Sequence, residues 1–96
     1  MYYKLYKERS SSSLPAGLDA FDDFNQIYQE QGVKVIGVWQ NKDDSKEYYF
    51  MMAYENEEHY LDFVENMKTN ETYQQMSREL EEGRESIEVI TLVDAV

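Results

Sequence analysis

Residues 33–54, "VKVIGVWQNKDDSKEYYFMMAY", predict two β-strands joined by the polar turn "NKDDS". In a half-exposed hairpin one set of alternate residues is apolar and the other polar, because successive side chains point to opposite faces of the sheet. Here both sets are rich in large apolar side chains. If Gln40 lies opposite Lys46, one face carries Val35, Gly37, Trp39, Tyr49, Met51 and Ala53, and the other carries Ile36, Val38, Tyr48, Phe50 and Met52. Both faces of the sheet therefore need to be covered.

The segments around this hairpin complete a βαββαβ order. The pattern predicts a first strand at residues 2–7, a helix from Pro15 to Gln31 capped by Gly32, a second helix after the N-cap Asn56, a short third helix closed by Gly83, and a last strand at residues 86–93. This order predicts an α+β, ferredoxin-like fold with a four-stranded antiparallel sheet and helices on one side. We expect residues 1–96 to form one such domain.

The helices of this fold can cover only one face of the sheet. The other face would expose an apolar patch of several hundred Å², which is more than soluble monomers usually expose. A second copy of the same sheet, packed face to face at a spacing of about 10 Å, would cover it. The sequence therefore predicts a homodimer with a barrel-like core, a dimeric α/β barrel.

Composition excludes several classes of function. Nine Lys and Arg against twenty Asp and Glu give a net charge of −11, and the basic residues are scattered, so we expect neither nucleic acid nor a membrane as a partner. The chain has no cysteine and a single histidine, His59, so we expect no metal and no cofactor. The start at Met1 has no signal-peptide pattern, and a cytoplasmic location is the expectation.

Three stretches together resemble the NIPSNAP family. They are "GVKVIGVW" before the polar turn, "YYFMMAYENEEHY" after it, and "NETYQQMSRELEEGRESIEVITL" towards the end of the chain. The motifs are the glycine and tryptophan at Gly37 and Trp39, the aromatic Tyr54 before an acidic helix start, and the short third helix. NIPSNAP proteins belong to the dimeric α/β-barrel superfamily, which also contains monooxygenases of the antibiotic-biosynthesis type.

The resemblance implies a homodimer with a pocket between sheet and helices in each protomer. Its members include cofactor-free oxygenases of aromatic polyketides, haem-degrading enzymes, isomerases and proteins without a known reaction. Haem-degrading relatives need a tryptophan on the second helix and a histidine on the third, where this chain has Phe63 and Ser77.

Five residues are candidates for a site. His59 and Tyr54 are predicted to be catalytic, because an imidazole titrates near neutral pH and a phenol can hold a substrate oxygen. Trp39, Tyr49 and Phe63 are predicted to contact a ligand. For Trp39 the alternative is a place in the dimer core, for His59 an exposed place in the first turn of a helix, and for the tyrosines a place in the core.

Two functions remain open from the sequence. One is a small-ligand-binding protein, including a cofactor-free monooxygenase-like enzyme acting on a small aromatic or apolar molecule. The other is a non-enzymatic homodimeric interaction or structural protein. If the chain is an enzyme, Tyr54→Phe and His59→Ala should abolish its turnover and leave the dimer intact.

Overall fold

The structure is a computed structural model that describes residues 1–11 and 21–96. The elements are β1 (Tyr2–Ser10), α1 (Phe21–Glu30), β2 (Lys34–Gln40), β3 (Glu47–Tyr54), α2 (Glu57–Met67), α3 (Glu71–Glu82) and β4 (Arg84–Val93). The four strands form one sheet in the order β2-β3-β1-β4, and every neighbouring pair is antiparallel. This confirms the predicted α+β, ferredoxin-like architecture. The predicted start of the first helix, at Pro15, lies outside the described residues.

Local signals set the helix ends as expected. Gly32 follows α1 with a φ of 72°, and the amide of Val33 donates to the carbonyl of Tyr28 at 2.8 Å, which satisfies an otherwise free helix carbonyl. Asn56 caps α2 by accepting a hydrogen bond from the amide of His59 at 2.8 Å. Gly83 caps the end of α3. The predicted caps at these three positions are confirmed.

The hairpin register differs from the prediction. Gln40 lies opposite Tyr48, two residues further along the chain than the predicted partner Lys46. A shift of two keeps each residue on its predicted face, so Gly37 and Trp39 share a face with Tyr49 as expected. A bulge between Val35 and Gly37 then reverses the alternation, and Val35 pairs with Met52 on the opposite face. The predicted place of Val35 was therefore wrong.

The first strand also runs further than predicted. Residues beyond Lys7 continue to pair with both neighbouring strands, Glu8 with Tyr48 of β3 and with Ile87 of β4. Successive side chains of a strand point to opposite faces of the sheet, so the carboxylate of Glu8 lies on the same face as the ring of Tyr6. Glu8 therefore faces the helices.

The two faces of the sheet have different surroundings. All three helices pack on one face, where the core contains Phe24, Tyr28, Val33, Met52, Tyr54, Phe63, Met67 and Met76. The opposite face, which we call the open face, carries Tyr3, Leu5, Trp39, Tyr49, Met51, Ile90 and Leu92. Nothing in the described part of this single chain covers it, and Trp39 is 47% exposed.

Candidate functional site

A cleft lies between the helix-covered face of the sheet and helices α1 and α3. Its volume is about 330 Å³. Its walls are mainly apolar and aromatic: the sheet contributes Tyr6, Phe50, Met52, Ile87 and Val89, and the helices contribute Phe24, Tyr28, Tyr73 and Leu80. Ile87 and Val89 of the edge strand β4 are 39% and 49% exposed, so we infer that the cleft reaches solvent along β4. We call this volume the sheet–helix cleft.

Four polar side chains complete the lining, namely Glu8, Ser77, Glu81 and Arg84. Arg84 pairs with Glu81 at 3.9 Å between Nη2 and Oε1. Glu8 is only 2% exposed, and its Oε1 has no hydrogen-bond partner among the described residues. Two carboxylates and one guanidinium give this lining a formal charge of −1, which disfavours anionic ligands.

The tyrosines of the cleft are hydrogen-bond donors at neutral pH. Burial raises the pKa of Tyr6 well above its ordinary value, and nearby phenols add to the effect. Burial also raises the pKa of Tyr28, with a further contribution from Tyr73. The pKa of Tyr73 is raised by burial as well, although hydrogen bonds with Tyr28 and Ser77 offset part of the shift. A phenol that keeps its proton cannot act as a base, so within the described lining the candidate bases are carboxylates.

Tyr54 and His59, predicted to be catalytic, lie against each other with ring centroids 5.6 Å apart. Neither lines the sheet–helix cleft. The amide of Glu55 donates to His59 Nδ1 at 3.0 Å, and Nε2 lies 2.8 Å from the carbonyl oxygen of Gln31. This arrangement requires a neutral ring with its proton on Nε2, and it joins the start of α2 to the end of α1.

Tyr54 is 1% exposed and stands in a cluster of aromatic rings with Tyr60 and Phe63. Burial raises its pKa, and neighbouring phenols raise it further. Its phenol therefore remains protonated.

The three predicted ligand contacts lie in two different places. Trp39 and Tyr49 are paired on the open face, on the other side of the sheet from the cleft. Phe63 is 4% exposed in the core and stacks on Tyr28, a cleft residue, with centroids 5.4 Å apart. Phe63 thus lies behind a cleft residue without lining the cleft itself, and on the other side of the sheet from Trp39.

Gly37, two residues before Trp39, is a glycine for a structural reason. A Cβ placed on Gly37 would stand 2.6 Å from Cζ2 of Trp39, closer than two carbon atoms can pack. The indole therefore occupies the space that a side chain at position 37 would take, and only glycine leaves it room. The pair at Gly37 and Trp39 shapes the open face.

Sequence reasoning missed Glu8. The available signal was its position in the alternating set Tyr2, Lys4, Tyr6 and Glu8, which carries a charge into the row that faces the helices. The predicted strand ends at Lys7, so the prediction does not place Glu8 on this face.

The described part of the chain contains neither a metal-ligand cluster nor a membrane-spanning helix. Within residues 1–11 and 21–96, no three side chains of His, Asp or Glu are grouped so that they could hold a metal ion. None of the described helices is both long and apolar enough to cross a bilayer.

Comparisons with known proteins give matches among solved structures. No protein-family model and no curated protein matches the chain. A NIPSNAP-family protein of unknown function from Agrobacterium tumefaciens superposes with a TM-score of 0.79 at 14% identity, over 96% of this chain and 86% of the other. An uncharacterized NIPSNAP-domain protein from Burkholderia xenovorans superposes with a TM-score of 0.70 at 19% identity, over 99% and 95%.

A match of another kind is SnoaB, a cofactor-independent oxygenase from Streptomyces nogalater. It superposes with a TM-score of 0.78 at 9% identity, over 99% of this chain and 93% of SnoaB. These three structures are NIPSNAP and monooxygenase-like proteins, as the sequence predicted, and the chain has the ferredoxin-like fold that they share.

Proposed function

We propose that this chain binds a small, mainly apolar and planar ligand in the sheet–helix cleft. The observation that carries the proposal is the combination of an aromatic-walled volume of about 330 Å³ with a buried carboxylate, Glu8, that has an oxygen without a described partner. Mainly apolar pockets with a few convergent polar groups are the usual form of small-molecule sites.

The size of the cleft limits the ligand. Ligand pockets range over about 300–1,000 Å³, so this cleft is at the small end. An engineered apolar cavity of about 150 Å³ holds benzene, which suggests that the cleft has room for two fused aromatic rings. The formal charge of the lining favours neutral or cationic molecules over carboxylates and phosphates.

The chemistry that suits these walls is oxygenation by dioxygen without a cofactor: an electron-rich hydroxyarene supplies the electrons, one oxygen atom enters the ring to give a quinone, and the other leaves as water. A base that removes a proton from an electron-rich ring system creates an anion, and apolar walls keep water away from it. Glu8 is the buried carboxylate of the lining and is the better placed base. Tyr54 and His59 stay sequence-based predictions for this role. Neither residue lines the cleft, so a structural role in the core is the simpler assignment for both.

Association of two copies through the open face is the second part of the proposal. Ile36, Trp39, Ile90 and Leu92 are each at least 36% exposed on or beside this face, and they cluster around the apolar centre formed by Leu5 and Met51. A two-fold axis would bring each apolar centre against its own copy. Burying this exposed surface would stabilise a homodimer, with the cleft of each protomer on the far side of its sheet.

A thermal-shift screen tests the ligand-binding proposal. Naphthalene-sized aromatics, quinones, flavins and haem would be added at saturating concentrations, since a ligand that binds the native state raises the melting temperature by mass action. We expect stabilisation by two-ring aromatics and none by flavin or haem, which exceed the cleft. The Ser77→Trp variant, which fills the cleft, is the control and should show no shift. Absence of any shift in the wild-type protein would support the non-enzymatic interaction protein instead.

A further inference from the structure

Glu8 is a buried carboxyl group with one oxygen atom that has no partner among the described residues. Its side chain is 2% exposed and lines the sheet–helix cleft, and its Oε1 accepts no hydrogen bond from any described residue. A buried polar atom without a partner loses the hydrogen bonds that it would make to water, and native proteins contain few such atoms. The orphaned oxygen therefore calls for a partner that the described chain does not supply.

The neighbours of Glu8 do not fill this role. Across the strands it faces Tyr48 and Ile87. Arg84 lowers the electrostatic cost of the carboxylate, but within the described residues the ion pair of Arg84 is with Glu81. The lining thus holds a positive charge near Glu8, and Oε1 of this lining residue has no partner within the described chain.

We propose that Glu8 determines the ligand class of the cleft by accepting a hydrogen bond from an O–H or N–H group of an aromatic ligand. This inference rests on the proposed function and makes it narrower: the ligand is a phenol or an aryl amine. A bare hydrocarbon would leave the acceptor unpaired, and a carboxylate would meet a like charge. Sites that must pair a buried polar group reject analogues lacking the complementary group strongly.

The protonation state of Glu8 does not change the inference. Burial raises its pKa, and the Arg84 charge offsets part of that shift. A carboxyl group retains an acceptor oxygen in both its charged and its neutral form. The tyrosines of the cleft already offer hydrogen-bond donors, with which an acceptor group of the ligand could pair. A donor group of the ligand is best paired with the carboxyl group of Glu8.

Three probes of the same ring system test the proposal: 2-naphthol, naphthalene and 2-naphthoate. Affinities would be measured at equilibrium from the fluorescence of the naphthalene ring. Because pairing a buried acceptor that otherwise has no partner has a sizeable net value, we expect the wild-type protein to bind 2-naphthol about tenfold more tightly than naphthalene, and 2-naphthoate more weakly than both.

Variants separate Glu8 from general charge effects. Glu8→Met removes the acceptor and should bring the ratio of the naphthol and naphthalene affinities close to one, whereas Glu8→Gln keeps an acceptor oxygen and should retain part of the preference. Glu88→Met removes the same charge from the open face of the sheet and should leave the ratio unchanged.

The results distinguish two failures. Equal wild-type affinities for 2-naphthol and naphthalene, or a preference that survives in Glu8→Met, would overturn the role of Glu8 and leave the cleft as the ligand site. Failure of all three probes to bind, or binding that persists in Ser77→Trp, would overturn the proposed function itself and this inference with it.

Discussion

Replacing Glu8 with methionine should stabilise the unliganded protein. The wild-type carboxyl is 2% exposed and has an oxygen atom without a described partner. Such an atom costs about 1–3 kcal/mol, and an apolar side chain of similar size avoids that cost. The loss of attraction to Arg84 subtracts from the gain, so we expect a net increase of about 1 kcal/mol. For a domain of this size, that corresponds to a rise in the melting temperature of about 4–8 °C.

Thermal unfolding followed by circular dichroism would measure this change. Wild type and Glu8→Met should be compared at the same series of protein concentrations, because the proposed self-association would make the melting temperature depend on concentration. A lower melting temperature in Glu8→Met would refute the reasoning, since it would show that the carboxyl makes a stabilising contact in the native state.

The same comparison has a pH dependence of known sign. Burial raises the pKa of Glu8 above its ordinary value of 4.5 in the folded protein, and Arg84 offsets part of the shift. Between the ordinary and the folded pKa the native state binds more protons than the unfolded chain, so this group adds stability as the pH falls through that window. The advantage of Glu8→Met over wild type should therefore be largest at neutral pH and shrink towards pH 4.5. An advantage that grows on acidification would contradict the raised pKa.

Three further changes test other parts of the structure. Trp39→Glu places a charge at the open face and should convert dimers to monomers in sedimentation velocity at micromolar concentration; an unchanged sedimentation coefficient would argue against association through this face. Gly37→Ala should displace the indole of Trp39, because the new methyl would stand 2.6 Å from Cζ2, and tryptophan fluorescence would report the move. His59→Ala removes ring hydrogen bonds to Glu55 and Gln31 and should lower the free energy of unfolding by about 1–2 kcal/mol in urea titrations. Loss of an enzymatic activity in His59→Ala without any loss of stability would instead support the predicted catalytic role.

The fold was predictable because independent local signals agreed with one another. The glycine at position 32 occupies a left-handed conformation, and Asn56 and Gly83 cap helices where their residue types predict caps. The double-faced hairpin and the order of elements then required a sheet with helices on one side. The register error had a physical cause, since a shift of two residues preserves the apolar pattern that fixes each face. The bulge between Val35 and Gly37 leaves no signal in the hydrophobic period, so the place of Val35 could not be predicted.

The candidate site was harder to predict than the fold. Tyrosines that fill a core and tyrosines that line a cleft have the same pattern in the sequence, and the structure divides them: Tyr54 is in the core cluster, whereas Tyr28 and Tyr73 reach the cleft. Trp39, predicted to contact a ligand with a place in the dimer core as the alternative, lies on the open face. Glu8 is the buried carboxylate of the cleft, and it lies beyond Lys7, where the predicted first strand ends.

Because side chains alternate along a strand, the proposed dimer surface and the proposed ligand site use different residues of the same strand. On β1, Tyr3 and Leu5 face the open side, and Tyr6 and Glu8 face the helices. One strand therefore contributes to the association surface with one set of residues and to the cleft with the other. Because the two sets lie on opposite sides of the backbone, substitutions in one should change dimer stability with little effect on ligand preference, and substitutions in the other should do the reverse. A variant of Leu5 that dissociates the dimer and also removes the preference for 2-naphthol would show that the two faces are coupled, and that the cleft takes its shape only when two copies associate.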